Sequence, residues 1–177
     1  RSTSGDSVAL NDRLRGSGKE LYTSGTGGES SYPSQGMQLD HTNALRTQTY
    51  RDTTNATYVN FCWKRAPSYF DIVAYSGTGS ATTVGHKLGV VPEMMWFKRR
   101  NTSDIWTVYH SALGEGKRLK LNADTAAEDD TASFNNTAPT SSVFSIGTVN
   151  QINASGSTYI AYLFASVDGI SKVGSFS

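Results

Sequence analysis

The sequence contains one cysteine, Cys62, so no disulfide bond can form within the chain and its stability must come from packing or assembly. It contains no run of about 18 apolar residues, the length that a membrane-spanning helix needs. It has no excess of either charge, with 16 lysines and arginines against 15 aspartates and glutamates. Nucleic acids and anionic membranes attract a clustered basic surface, so we expect neither as a partner. No segment shows the apolar periodicity of an amphipathic helix, which argues against a βαβ fold.

Short aromatic and β-branched runs are plentiful, and they are separated by turns rich in Gly, Ser, Thr and Asn. Aromatic residues make up 11% of the chain. About eight such runs lie between Tyr69 and Ala165, with turn residues roughly every 8 to 12 positions, which is typical of β-sandwiches and jelly rolls. The sequence therefore predicts an all-β fold built of antiparallel, jelly-roll-like β-sandwich modules with little or no helix.

The sequence also repeats itself. Residues 57–76 are echoed by residues 158–177, which lie 101 positions further on (158 − 57 = 101). A second echo links residues 14–29 to residues 113–128 at a separation of 98 to 99, and both copies contain a Gly-x-Gly-Lys turn followed by Thr-x-x-Glu. A fixed period of this length predicts a repeated module of about 100 residues.

The repeat predicts three parts: a partial, degenerate module over residues 1–68, a complete sandwich over 69–168, and an opening strand over 169–177. That opening strand would begin a further module or pair with another subunit. Residues 57–64 are expected to form a central strand, and residues 170–176 a strand, with elbows at Pro67 and at Asp168-Gly169. The aromatic and aliphatic positions of the expected core are Tyr58, Phe61, Trp63, Ile72, Tyr159, Tyr162 and Phe164.

Five stretches carry a family resemblance. Two are short, LRGSGK with the following Thr-x-x-Glu at 14–29 and NTAPTSSVFSIG at 136–147, and three are longer: YVNFCWKRAPSYFDIVAYSGTG at 58–79, VGHKLGVVPEMMWFKRRNTSDIWTVYH at 84–110 and NASGSTYIAYLFASVDGISKVGSF at 153–176. Together the chain resembles a repeated domain of tail-fibre and other virion proteins of marine and cyanobacterial bacteriophages. The resemblance implies a β-rich structural module of fibres or appendages, and it implies no catalytic residues. In the first copy, Val8 or a neighbour stands where the second copy has Trp106, so the first copy departs further from the pattern.

Two groups of side chains are candidate binding sites. Trp96 and Trp106 flank a hairpin loop, and aromatic rings beside polar loops can stack on sugars, although core packing is the other interpretation. The full set of candidate glycan or receptor contacts is Trp96, Arg99, Arg100, Asn101, Asp104 and Trp106. A weaker candidate, for calcium, is the acidic run Glu128, Asp129 and Asp130, which is otherwise an ordinary acidic loop. We expect no cofactor.

The sequence thus predicts a non-enzymatic structural component of a bacteriophage virion, as part of a tail fibre or similar appendage that assembles and attaches to the host surface. Its expected partners are copies of itself, as a homotrimer, and other virion proteins. Two alternatives stay open: a lectin-like module that binds host surface polysaccharide, and a capsid decoration protein. An enzyme is the weakest hypothesis, because no pair of carboxylates marks a hydrolytic site.

Overall fold

A computed structural model describes residues 8–34, 36–39, 46 and 58–175 of the chain. The predictions for Thr57 and Phe176 therefore lie outside the described residues. The strands and the one helix within the described part are β1 (Ala9–Leu10), β2 (Lys19–Tyr22), β3 (Ser30–Ser31), β4 (Phe70–Ser76), β5 (Thr82–Gly85), β6 (Met94–Arg99), β7 (Thr107–His110), β8 (Lys117–Lys120), β9 (Glu128–Asp129), β10 (Val143–Ile146), α1 (Asn150–Asn153) and β11 (Thr158–Phe164). None of these residues forms a helix long and apolar enough to cross a bilayer.

A six-stranded antiparallel sheet forms the centre of the fold, in the order β4-β11-β6-β7-β8-β9. Strand β11 lies between β4 and β6, and its pairing with β4 runs without a break from Thr158↔Ser76 to Phe164↔Phe70. Consecutive residues of β11 from Tyr159 to Leu163 are all buried. Side chains of a strand point alternately to its two faces, so the middle of this sheet is covered on both sides.

One face of the central sheet is covered by the two-stranded sheet β10-β5 and by helix α1. The core on this side includes Phe97 and Leu163 from the central sheet and Phe144 from β10, whose ring lies 5.4 Å from that of Phe97. Helix α1 is a single helical turn whose Ile152 is fully buried in this core.

The opposite face is covered by the three-stranded sheet β1-β2-β3, hereafter the N-terminal meander. Its fully buried Leu21 packs in one cluster with Trp106, Ile160 and Tyr162 of the central sheet. The fold is therefore all-β, with antiparallel sheets in sandwich-like layers, which confirms the predicted fold class. The tandem arrangement of separate modules stays a prediction, because the N-terminal meander packs onto the sheet of the second copy.

The N-terminal meander repeats strands β7-β8-β9 in the same register. Ala9 pairs with Tyr22 as Thr107 pairs with Lys120, and both members of the second pair lie 98 positions after the first (107 − 9 and 120 − 22). The pairing of β2 with β3 repeats in β8 and β9 at the same offset. The amide of Thr23 donates to the carbonyl of Val8 as that of Leu121 donates to Trp106. Val8 therefore occupies the slot of Trp106, which confirms the alignment made from the sequence.

The predicted elbows also repeat. An isolated bridge joins Ala66 to Phe70, and another joins Val167 to Ser171, 101 positions later. The third residue of each turn has a positive φ, 64° at Ser68 and 71° at Gly169. A proline followed by a residue at positive φ, as in Pro67-Ser68, is the pattern of a type II turn. Each elbow thus reverses the chain with the same geometry.

The predicted strand over residues 57–64 is wrong for the described part, 58–64, which has no β-structure. Three of its predicted core residues are correspondingly exposed, Tyr58 by 44%, Phe61 by 78% and Trp63 by 47%. The physical reason is that a central strand needs neighbours on both sides, as β11 has β4 and β6, and no strand in the described residues flanks 58–64.

The other predictions for the core agree with the structure. Ile72, Tyr159 and Tyr162 are buried, and Phe164 is half-buried against the cluster that includes Leu21. The strand predicted over residues 170–176 is absent from the described residues 170–175, apart from the single bridge at Ser171.

Candidate functional site

Trp106 is not available to stack on a sugar, so its prediction as a glycan contact is wrong. Its side chain is 0% exposed, because the N-terminal meander covers it. The indole Nε1 donates a 2.9 Å hydrogen bond to the carbonyl of Tyr22 on β2, and the ring lies 6.3 Å from that of Tyr162. The alternative of core packing is therefore correct for this residue.

Trp96 lies on β6 and is half-buried. Its ring centroid is 4.8 Å from that of Phe164, so much of its apolar surface contacts the neighbouring strand. The two tryptophans thus belong to one apolar cluster on the meander-facing side of the central sheet, with Trp106 sealed and Trp96 at its edge. They do not form a common aromatic platform at the surface.

The loop between β6 and β7 is fixed by its own polar side chains. The guanidinium of Arg99 donates to Ser157 Oγ at 3.1 and 2.6 Å and lies 3.8 Å from Asp104. Asn101 Oδ1 accepts a 3.3 Å hydrogen bond from the amide of Thr158. These bonds position the loop. Among the six predicted glycan or receptor contacts, Asn101 is the exposed one.

Arg100 connects the same loop to the N-terminal meander. Its guanidinium donates to both carboxylate oxygens of Glu29, at 2.9 and 3.1 Å, and the amide of Glu29 donates to the carbonyl of Arg100 at 2.7 Å. Gly28 permits this close approach, since a Cβ there would lie 2.9 Å from the carbonyl oxygen of Arg100. The bidentate geometry makes Arg100 a structural clamp between layers.

A buried polar network, which the sequence analysis missed, joins the layers deeper inside. Asp12 receives hydrogen bonds from the Arg15 guanidinium and, at 2.7 Å, from the hydroxyl of Tyr162. Arg15 also donates to the carbonyl of Leu10 at 2.8 Å. Burial raises the pKa of Tyr162 well above its usual value, so the phenol stays protonated and keeps its donor role. A sequence signal exists, because Tyr162 places a hydroxyl between the apolar residues Ala161 and Leu163 of β11.

A second feature missed from the sequence is a cleft of about 480 Å³ beside β4, lined in part by Arg65, Asp71 and His86. Asp71 is buried, and its carboxylate accepts from Arg65 Nε at 2.7 Å, from its neighbour's amide at 2.9 Å and from the Lys87 amide at 2.7 Å. Three donors occupy this carboxylate, so its role is to hold the start of β4 against the segment before it and against the loop that follows β5. The charged residue within the apolar run FDIVAY was the signal.

The imidazole of His86 is also fixed by hydrogen bonds with backbone groups. Its Nε2 lies 3.1 Å from the carbonyl of Thr140, and its Nδ1 accepts from the amide of Leu88 at 3.3 Å. A carbonyl can only accept, so Nε2 carries the proton in the neutral ring. Burial lowers the pKa of His86, which keeps this neutral form dominant near pH 7.

The acidic run from Glu128 to Asp130, which begins on β9, is paired with basic side chains of β8. Glu128 receives hydrogen bonds from Arg118 and Lys120, and Asp129 receives one from Lys117. These pairs follow from the antiparallel pairing of β8 with β9, which sets basic and acidic side chains opposite each other. The described residues contain no group of His, Cys, Asp and Glu side chains that could hold a metal ion, so the calcium alternative at Glu128, Asp129 and Asp130 has no structural support.

Comparison with the curated proteins and with the solved structures finds no match. One family model matches, and the match extends over residues 1–177, the full sequence. The chain therefore belongs to the family described as a domain of unknown function, DUF7483.

Proposed function

We propose that the chain is a non-enzymatic structural component of a bacteriophage virion, serving as a module of a tail fibre or similar appendage in assembly and host-surface attachment. The observation that carries the proposal is the β-meander repeated in the same register 98 residues apart, whose first copy is bonded onto the sheet of the second. Stacked repeats of this kind build elongated assemblies, because each unit buries its apolar face against the next. The resemblance of the sequence to tail-fibre domains supports the assignment of the chain to a virion.

The use of the charged side chains also supports a structural role. Arg99 and Arg100 of the predicted contact loop bind Ser157 and Glu29, and the buried carboxylate of Asp71 accepts three hydrogen bonds. Side chains committed in this way stabilise loops and layers, and their protons and charges are not free to act on a bound substrate. The burial of Trp106 weighs against the lectin-like alternative, because it removes one of the two rings proposed for sugar stacking.

The proposal is tested on purified particles of a phage that encodes the chain. We expect mass spectrometry to find the chain in the particle, and immunogold electron microscopy to place an antibody against it on the tail or its appendages. Label over the head, and not over the tail, would favour the alternative of a capsid decoration protein over that of an appendage. Absence of the chain from intact particles, with presence in the infected cell, would overturn the virion proposal.

The proposed partners are other virion proteins and further copies of the chain in a homotrimer. Native mass spectrometry of the purified chain measures this directly, and a mass of three chains is the expected result. Binding to host surface polysaccharide is measured separately by pull-down of the same oligomer on whole host cells. Saturable binding that is abolished by stripping the polysaccharide would restore the lectin-like alternative.

A further inference from the structure

Exposed apolar side chains are concentrated in one stretch of the described sequence. Four of its large exposed hydrophobic residues lie within residues 58–63, and a fifth, Ile170, directly precedes residues 171–175. Phe61 is the most exposed of them, at 78%. A soluble protein rarely leaves a cluster of this size uncovered, so these two segments are candidates for an interface.

The repeat identifies each segment with a strand that is paired elsewhere in the same fold. Residues 58–63 correspond to residues 159–164 of β11 at the offset of 101, and residues 171–175 correspond to residues 70–74 of β4. The elbow that precedes β4 has the same bridge and the same positive φ as the elbow that precedes residues 171–175. In the module, β4 and β11 are antiparallel neighbours. Each segment therefore carries the sequence of the other's natural partner.

We propose that residues 59–63 of one copy of this chain pair as an antiparallel strand with residues 171–175 of a second copy, in the register of β11 with β4. That register pairs Tyr162 with Ile72 and Leu163 with Asp71. Shifting one strand back and the other forward by 101 positions pairs Phe61 with Val173 and Cys62 with Lys172. The most exposed apolar side chain is then covered by the one large apolar side chain of the opposite segment.

The fold excludes a simpler arrangement in which residues 171–175 continue beside the strand they follow. The elbow at Val167 and Ser171 turns the chain back toward β11, but both edges of β11 are already occupied, by β4 and by β6. The segment instead ties its first residues to the end of that strand, where Ser171 Oγ donates to the carbonyl of Ala165 at 3.0 Å. The amide of Val173 donates to Ser166 Oγ at 2.9 Å, and no strand pairs with the described residues 172–175. A strand from outside the central sheet can pair with them, since extended peptides commonly add to unpaired strands in this way.

A second copy supplies both halves at once. If one chain offers residues 59–63 to its neighbour and receives residues 171–175 from it, a twofold axis satisfies all four segments, and a closed ring of more copies does the same. The pairing sets no like charges opposite each other, since Lys172 faces the uncharged Cys62. This inference names a partner for the structural module proposed above and rests on that proposal for its biological meaning.

The lone cysteine allows a direct test in the full chain. Antiparallel neighbours have Cα atoms about 4.5 to 5.5 Å apart, which suits a disulfide bond. One tagged chain keeps Cys62, and an untagged chain carries Cys62→Ser with Lys172→Cys. After mixing and mild oxidation, we expect a mixed disulfide on non-reducing gels that forms at least about tenfold faster than with the matched variant Cys62→Ser with Val173→Cys, whose side chain points to the other face.

A second measurement uses sedimentation velocity across a dilution series. Phe61→Ser should weaken self-association by about tenfold or more, because it removes the largest apolar contact of the pairing. The control Val91→Ser changes a side chain that is 51% exposed outside both segments, and it should leave association unchanged. Equal cross-linking at positions 172 and 173 would overturn the proposal, as would a disulfide that forms only within one chain in a third variant that keeps Cys62 and carries Lys172→Cys. Either result leaves the particle-labelling experiment unaffected, so the two failures are distinguishable.

Discussion

Replacing Lys98 by methionine should stabilise the protein near neutral pH. Lys98 lies on β6 with a side chain that is 0% exposed, and its Nζ donates a 2.8 Å hydrogen bond to the carbonyl of Arg99. Burial lowers the pKa of Lys98 from 10.5 to about 8; Asp104 opposes this shift and Arg99 adds to it. The charged ammonium is therefore held in a place that favours the neutral amine.

The size of the effect follows from that pKa. A difference between 10.5 and about 8 corresponds to roughly 3 kcal/mol of destabilisation of the charged form. The variant Lys98→Met removes this cost but leaves the Arg99 carbonyl without its donor, which costs about 1 kcal/mol. We expect Lys98→Met to raise the free energy of unfolding at pH 7 by about 1 to 3 kcal/mol.

The pH dependence provides the sharper check. Below pH 8 both the folded and the unfolded wild-type chains are protonated at Lys98, so the full cost is present. Between about pH 8 and 10.5 the unfolded chain binds more protons than the folded one, so wild-type stability rises with pH relative to the variant. The advantage of Lys98→Met should shrink through this window and reverse above it.

The assay is urea unfolding followed by tryptophan fluorescence, at several pH values from 6 to above 10, for the wild type, Lys98→Met and Lys87→Met. Lys87 is exposed, so its variant controls for the loss of one positive charge at the surface. The buried tyrosines titrate alike in all three proteins and cancel in the differences. A Lys98→Met protein that is less stable than the wild type at pH 7, or whose advantage does not change with pH, would refute the reasoning.

Three further changes test the elbow, the buried network and the buried histidine. Ser68→Gly should stabilise by about 0.5 to 1 kcal/mol and Gly169→Ser should destabilise by a similar amount, because both positions have a positive φ. Tyr162→Phe should destabilise by about 1 to 2 kcal/mol, since it removes the hydroxyl that donates to the buried Asp12. Burial lowers the pKa of His86 below 6.5, so the unfolded chain binds the proton more tightly than the folded one. Wild-type stability is therefore lost as the pH falls from 6.5 through the folded-state pKa. His86→Gln should flatten the dependence of the free energy of unfolding on pH in this range.

Urea unfolding measures all three, with a matched control for each. Tyr69→Phe should have a smaller effect than Tyr162→Phe, because Tyr69 lies at the edge of the cluster, and equal losses would count against the buried network. Ser166→Gly, in a neighbouring segment without positive φ, should not stabilise as Ser68→Gly does. A His86→Gln protein with the same acid dependence as the wild type would show that other groups govern it.

Much of the fold could be predicted because the strands carry their own patterns. Eight strands, β4 to β11, lie between Tyr69 and Ala165, where the sequence predicted about eight, since alternating apolar side chains and turn residues act locally. The repeat predicted more than the local patterns did, because it aligned Val8 with Trp106 and Ser68 with Gly169. The strand register at Val8 and Trp106 and the positive φ angles at Ser68 and Gly169 agree with this alignment.

The candidate contact site could be predicted only in part. A tryptophan beside a polar loop has the same local sequence whether it faces solvent or a second sheet. In this chain the N-terminal meander, far away in sequence, covers Trp106 and binds Arg100 through Glu29. The buried network of Asp12, Arg15 and Tyr162 likewise joins residues about 150 positions apart, a proximity that no local pattern contains.

The amino-acid sequence by itself determined the all-β class, the positions of most strands and the period of the repeat, because each depends on side chains close together in the chain. The tertiary structure alone decided which apolar residues are covered. Trp106 is sealed and Phe61 is exposed although both lie in apolar, aromatic runs, because burial depends on whether another layer or strand lies against a residue. That neighbour exists for Trp106 in the N-terminal meander, and for Phe61 we infer that it comes from a second copy of the chain.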